Sequence, residues 1–303
     1  MSDPLAAIVS LLKPTPSIAK LVTAGGRWFV ERTELGSPFY CVLLQGRCRL
    51  TIGGRSPITL VAGDFVLVPE IHAFTMSSMD PPSRGTLPQR LETSPGVFRL
   101  GNPDGAIDVT AMVGHCAFSA PDKNMLVSLL PDVIHIHGED RLIDLARMIH
   151  DETANHRAAR NMVLTRLLEV LLIEALRSAG GTTAAPGLLR GLSDHQLASA
   201  LRQIHLDPGS GISVESLARE AAMSRSTFFD RFRSEVGVAP MEYVANWRMA
   251  LAKQLLLGRQ ISVAEIAGRV GYASTSAFSV AFNRHVGMPP GAFAGQDRPQ
   301  RLR

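Results

Sequence analysis

SVESLAREAAMSRSTFFDRF, from Ser213 to Phe232, is echoed by SVAEIAGRVGYASTSAFSVAF, from Ser262 to Phe282. Ser213 and Ser262 lie 49 residues apart, whereas the pairs Ser224/Ser274, Phe228/Phe278 and Phe232/Phe282 lie 50 apart. The second copy therefore carries one extra residue between its helices, within Val270-Gly271-Tyr272-Ala273. Each copy reads as short helix, tight turn and second helix. In the first copy Ser213 suits a helix N-cap, and Glu215 falls in the first turn, where the helix dipole favours an anion. In the second, Ser262 and Glu265 have the spacing of a capping box. Leu217, Ala218 and Ala221 share a face, Ala222-Met223 makes the turn, and Ser224 caps the following helix. Phe228 and Phe232 are spaced to anchor one face of that helix in a core.

The residues left off that face carry the chemistry. Arg225, Ser226 and Thr227 occupy the first turn, the part of a recognition helix that meets base edges. Arg bonds guanine bidentately, and Ser and Thr bond bases or phosphates. With Ser224 and Arg231 they form the candidate DNA-binding set of the first copy. Ser274, Thr275, Ser276, Ser279 and Arg284 form that of the second, where fewer charges predict weaker readout. Between the copies, Pro240 to Leu257 has Tyr243, Trp247, Leu251 and Leu255 on one stripe and is closed by Gly258. Pro in a first turn and Gly after an end suit a helix. Eighteen residues make a rod of about 27 Å, which can space two reading heads near one turn of duplex, roughly 34 Å. Upstream, Ser193 and Gln196 read as a capping pair for a helix with Leu197, Ala200, Leu201 and Ile204 on one face, ended by Asp207-Pro208-Gly209.

Taken together, Ser213-Val214-x-x-Leu217-Ala218, Met223-Ser224-x-x-x-Phe228-x-x-x-Phe232, Gly237-x-x-Pro240-x-x-Tyr243, Arg248-x-x-x-Ala252-x-x-Leu255-Leu256, Ile266-Ala267, Gly271-Tyr272 and Phe278-x-x-x-Phe282-x-x-x-x-Gly287-x-x-Pro290 resemble the DNA-binding domain of the AraC/XylS family of bacterial transcription regulators. The resemblance covers about residues 193 to 295. Phe229 and Pro289 depart from it, standing where the family usually has a polar or small residue and a Ser. It implies a sequence-specific regulator that binds double-stranded promoter DNA, with RNA polymerase as a further partner.

Charge agrees. Residues 186–303 carry 14 Lys and Arg against 9 Asp and Glu, a net of +5, while residues 1–185 carry 17 against 18, a net of −1. The basic excess thus sits with the repeat, as phosphate contacts require. Cys41, Cys48 and Cys116 are too few and too scattered for a disulfide scaffold or a structural zinc site. Neither a signal peptide nor an 18-residue uncharged apolar segment is evident; a cytoplasmic protein with no membrane partner and no cofactor is expected.

The first half reads as strands and turns. Tyr40 to Leu44, Cys48 to Ile52, Ile58 to Val61 and Phe65 to Val68 are apolar or alternating runs, punctuated by Gly46, Gly53-Gly54 and Gly63-Asp64. Short strands at regular spacing suggest a β-barrel. Gly46 … Leu50 … Gly53-Gly54 … Leu60-x-x-Gly63-Asp64-x-x-x-x-Pro69-x-x-His72 looks like a cupin barrel, a domain that regulators of this family often carry as a sensor. Met112 to Ile136 resembles the closing segment of the same cupin subgroup. A lumen lined by Phe39, Cys41, Leu43, Phe65, Leu67 and His72 is the expected effector pocket. Metal-dependent cupins resemble one another in two His and a Glu near the first strand plus a later His. Here Pro38, Phe39 and Tyr40 stand at the early positions, and His72 alone cannot hold a catalytic metal. No metal and no catalytic residue is assigned; His115, His135 and His137 are further histidines of the barrel, and a lowered thiol beside His115 or Arg47 would make a redox sensor.

Ala158 to Arg177 is a strong helix in which Leu164, Leu167, Leu168, Leu171 and Leu172 share a face, with Val163, Val170 and Ile173 widening the apolar surface. Leu164, Leu168, Leu171 and Leu172 are the expected dimerisation residues of a homodimer. Ser178 to Gly187 is a linker of small residues. The fold class expected is α+β with two domains. A cupin-like sensor and dimerisation domain spans 1–180, a linker 181–190, and an all-α tandem helix-turn-helix domain 191–297. Two alternatives stand beside an effector-controlled regulator. One is a metal-dependent cupin enzyme fused to a DNA-binding domain; the other is a constitutive regulator whose barrel only dimerises.

Overall fold

A computed structural model describes residues 3–33, 36–83, 90–155, 157–180 and 186–295. Part of the expected linker, residues 181–185, lies outside them. In chain order the elements are α1 (Pro4–Leu12), β1 (Pro14–Gly25), β2 (Phe29–Arg32), β3 (Ser37–Gln45), β4 (Arg47–Ile52), β5 (Ile58–Val61), β6 (Asp64–Ile71), β7 (Phe74–Ser77), β8 (Arg90–Ser94), β9 (Val97–Gly101) and β10 (Val109–Phe118). There follow α2 (Lys123–Ser128), β11 (Ile134–His137), α3 (Asp140–Ala154), α4 (Arg160–Ser178), α5 (Leu188–Ser193), α6 (His195–Leu206), α7 (Val214–Glu220), α8 (Arg225–Val236), α9 (Pro240–Gly258), α10 (Val263–Arg269), α11 (Thr275–Val286) and α12 (Pro290–Gly295).

These elements form two compact units. The β-rich unit holds residues 13–119 and 131–179. Its strands make one sheet in the order β11-β6-β3-β10-β1-β9-β8 and a second in the order β2-β7-β4-β5. Their inner faces share one core, with Phe39, Cys41 and Leu43 of β3, Cys48 and Leu50 of β4, Val66 and Val68 of β6, and Phe74 and Met76 of β7. Because side chains alternate along a strand, Phe65 and Leu67 point to the opposite face of β6, where they are equally buried. A strand covered on both faces reads as a continuous apolar run, so periodicity could not say which side met the lumen. α3 and α4 pack on each other, and both pack on β1.

The second unit is helical and drawn from three pieces of chain: the described parts of residues 1–12, 120–130 and 180–303. This differs from the expected boundaries, which assigned everything before 181 to the sensor. α1 starts where Asp3 accepts from the N–H groups of Leu5 and Ala6. It buries Ile8, Val9, Leu11 and Leu12 and packs on α2, α6 and α9. From the 120–130 piece, Asp122 pairs with Lys253 of α9 at 2.8 Å, both largely buried, and the Leu129 carbonyl accepts from Leu188 N–H at 3.0 Å. Long-range pairing of this kind leaves no local signature in a sequence.

Two helix ends differ from their sequence reading. Asp194, not Ser193, caps α6, accepting from the N–H groups of Gln196 and Leu197; Ser193 instead donates to the Leu189 carbonyl. α9 runs through Gly258, and Arg259 takes the left-handed cap conformation at φ 50°.

Candidate nucleic-acid interface

Each reading head is built on a pair of aromatic anchors. Phe228 and Phe232 are wholly buried, their ring centroids 5.5 Å apart, and Phe232 meets Tyr243 of α9 edge-on at 5.8 Å. Phe278 and Phe282 repeat this at 5.5 Å, with Phe293 of α12 edge-on at 5.6 Å. Aromatic pairs at such separations prefer tilted or edge-on contact. Burying that side fixes which residues of α8 and α11 stay outside.

The helix starts are set by serines. Ser213 and Ser216 form a reciprocal capping box at α7, and Ser262 and Glu265 form one at α10. Ser224 accepts from Thr227 N–H to start α8, and Ser274 accepts from Ala277 N–H to start α11. The two cap hydroxyls therefore carry helix geometry: Thr227 Oγ1 lies 2.8 Å from Ser224 Oγ, and Ser276 Oγ lies 3.0 Å from Ser274 Oγ. The turns of the two units differ. Ala222 takes a left-handed φ of 50° in the first, while Gly271 takes 82° in the second. A Cβ on Gly271 would sit 2.8 Å from the Pro208 carbonyl oxygen and 2.6 Å from Arg248 Nη2. Arg248 fills that space because it donates to the carbonyls of Pro208 and Ser210, tying α9 to the loop before α7.

Arg225, Ser226, Thr227, Thr275, Ser276 and Arg284 are exposed, and Ser279 is half-buried. The structure also shows how the arginines of α8 are held. Arg225 Nε lies 2.8 Å from Glu215 Oε1, with 71% of the arginine side chain exposed. The Glu215 carboxyl is held below the ordinary range by its own backbone N–H, the Ser213 hydroxyl and the Arg225 charge. Arg231 Nε lies 2.6 Å from Asp194 Oδ2 and its Nη1 donates to Gln196 Oε1 at 3.2 Å. Glu215 and Gln196 entered the sequence reading only as helix-start signals, and Asp194 did not enter it at all. That reading also passed over Val280, an apolar side chain 71% exposed on α11.

The barrel's cavity is lined by residues other than the expected set. A cavity of about 80 Å³ lies among β1, β2, β7, β8, β9 and β10, with Trp28, Phe74, Met76, Phe98 and Leu100 on its wall. None of Phe39, Cys41, Leu43, Phe65, Leu67 or His72 lines it. The first three are packed into the solid core, Phe39 stacking on Phe74 at 4.6 Å. Phe65 and Leu67 face away from it, and His72 is exposed in the turn after β6. The donor set does not fit a cupin metal: Phe39 brings no ligand atom. His135 and His137, both on β11, turn instead to Asp64 at 3.2 and 2.8 Å, and the Val61 N–H also bonds that carboxylate. No group of three or more His, Cys, Asp or Glu side chains among the described residues is placed to hold a metal ion. The thiols do not suit a redox sensor either. All three are buried, and burial pushes Cys48 and Cys116 up to about 12 and Cys41 well above its ordinary value.

The expected dimerisation leucines are likewise interior. Leu164, Leu168, Leu171 and Leu172 are each at most 2% exposed within their own unit. α4 has apolar residues on more than one face, and the leucine face is the one its own unit absorbs. Met162, Val163 and Val170 remain outside at 69, 40 and 40% exposure.

A cupin-like unit followed by twin helix-turn-helix heads, with basic groups at the outer start of α8, defines a transcription regulator that binds DNA. Comparison with known proteins agrees. The family described as Cupin matches residues 3–179, and that described as Helix-turn-helix domain matches residues 217–296. An AraC-like transcription regulator of Streptomyces lividans is 34% identical, over 96% of this chain and 97% of its own. One of Streptomyces antibioticus is 35% identical, over 98% and 100%. The solved DNA-binding domain of AdpA in complex with a target DNA is 35% identical at a TM-score of 0.33, covering 35% of this chain and 95% of that one. The chain belongs to the AraC-like transcription regulators.

Proposed function

We propose that Arg225, Ser226 and Thr227 of α8 and Thr275, Ser276 and Ser279 of α11 read base edges in two successive major-groove segments of a promoter, with Arg231 and Arg284 toward the phosphates. The observation that carries this reading is the pair of matched aromatic anchors, which leave the same helical face of α8 and α11 outward. Val280 joins the set as an apolar contact for a thymine methyl. α9, of 19 residues and so about 28 Å long, spaces the heads near one helical turn, roughly 10 base pairs. Selection of binding sites from random duplexes tests this. Two conserved blocks about one turn apart are expected, and a single block would leave α11 without a reading role.

A small molecule in the barrel cavity controls that binding. Supporting this is the cavity's apolar wall. The relatives above are named as regulators, in line with a non-enzymatic role. Two copies associate through the outer face of α4, where Met162, Val163 and Val170 are exposed. Val163→Glu with Val170→Glu should give a folded monomer in sedimentation, and an unchanged dimer would move the interface elsewhere. Among the described residues no helix is long and apolar enough to cross a membrane. Three buried, unbridged cysteines suit a reducing cytoplasm. RNA polymerase enters as a partner through the family resemblance alone.

A further inference from the structure

We infer that the barrel cavity takes an apolar molecule with one anionic head, a carboxylic acid of medium chain or single-ring size. This rests on the reading of that cavity as the effector site. Its wall is apolar, but Lys20 of β1, Arg32 of β2 and Arg90 of β8 also line it, and among the described residues no Asp or Glu does. Two of these cations converge on one ring: the Arg90 guanidinium carbon lies 4.0 Å, and Lys20 Nζ 5.4 Å, from the centroid of Phe98. Arg32 stands opposite Phe74 in the β2–β7 ladder, and Phe74 is itself part of the wall. Neither Arg32 nor Arg90 meets a carboxylate among the described residues; Arg32 reaches only the Glu31 carbonyl, at 3.4 Å.

An aromatic ring is a weaker partner for a guanidinium than a carboxylate, which takes two parallel hydrogen bonds from its fork. The like charges of Arg32 and Arg90 around one apolar space also repel one another, and an incoming anion relieves that repulsion. The tail of the same molecule would lie against Trp28, Phe74 and Met76. The space of about 80 Å³ takes a medium chain or a single ring when Met76, a flexible thioether, moves aside. A sugar would need a wall of polar groups to bond its hydroxyls, and an amine would add a fourth cation.

Calorimetry of the full chain with octanoate, octan-1-ol and octylamine tests this. Octanoate should bind at least about tenfold more tightly than the alcohol, and the amine should give no heat. Arg32→Gln and Arg90→Gln, both at half-buried or exposed positions, should keep the fold and bring octanoate down to the affinity of the alcohol. Equal binding of octanoate and octanol by the unaltered protein overturns the anionic class while leaving the cavity as effector site. A preference that survives the double variant overturns the assignment to these cations. If no probe binds, the inference falls. The cavity-filling Val113→Phe then separates the two claims in a reporter driven by a selected binding site. Altered output keeps the cavity as the control site, and unchanged output removes that reading as well.

Discussion

In the first helix-turn-helix unit Phe228, Phe232 and Tyr243 stack around a core whose spacing Phe278, Phe282 and Phe293 reproduce within 0.2 Å in the second. Outside that shared core the units part. α8 presents Arg225 and Arg231, each steered by an acidic residue; the same stretch of α11 presents hydroxyls and Val280. The buried face is constrained by packing, which tolerates few shapes, while the outer face answers only to what it touches. One core therefore supports two outer faces, one led by arginines and one by hydroxyls, and the units differ besides in the turn, where the second carries one extra residue.

The largest effects should test the shared part. Phe228→Ala and Phe278→Ala remove equivalent buried rings and should each cost about 3–5 kcal/mol of stability, measured by denaturant unfolding. A loss in one unit only would show that the two cores are not energetically alike. The outer faces should then separate. Arg225→Ala should weaken binding to a selected site by about 1–3 kcal/mol and relax one base position. Ser276→Ala should lose no more than a hydroxyl contact, about 0.5–1.5 kcal/mol. Equal losses, read by titration against duplex variants, would erase the contrast between the heads.

Acid should distinguish them too. Tyr243 differs from its counterpart Phe293 by a hydroxyl, which lies 2.8 Å from Nε2 of His205. Burial pushes His205 down to about 3, below its usual value of about 6.5. Once pH falls below about 6.5 the unfolded chain takes up a proton that the folded chain refuses. Stability from this group is thus complete above that pH and is lost on descending toward 3, at a slope approaching about 1.4 kcal/mol per pH unit. Melting curves between pH 7.5 and 5 should show it, and His205→Phe should flatten the fall. An equally steep fall in the variant would assign the acid response to other groups. The smallest effect concerns the turns: Ala222→Gly should stabilise by up to about 1 kcal/mol, since a left-handed φ strains alanine but not glycine. No gain in melting temperature would mean that the first turn carries no strain relative to the second.

What could be read in advance follows the range of the interactions. The repeated helices were legible because caps, turns and Phe spacing act within a few residues, and the strands because Gly-rich turns interrupt apolar runs. The lumen was not. β6 is apolar on both sides, so Phe65 and Leu67 were indistinguishable in sequence from Val66 and Val68. The same ambiguity hid which side of α4 is interior: Leu164 and Leu168 have the look of a dimer seam yet fill their own unit. Pairs such as Arg225 with Glu215 or Lys253 with Asp122 depend on approaches that no periodicity encodes.

The three-piece construction of the helical unit bears on how such regulators could be recombined. A chimera joined between residues 180 and 186 would take α5 to α12 from one parent but leave behind α1 and the 120–130 segment that pack with them. The transplanted helices would lose the cover of α1 over α6 and α9, and Lys253 would lose Asp122. A workable exchange has to carry all three pieces, so the seam between modules is not where the chain is thinnest.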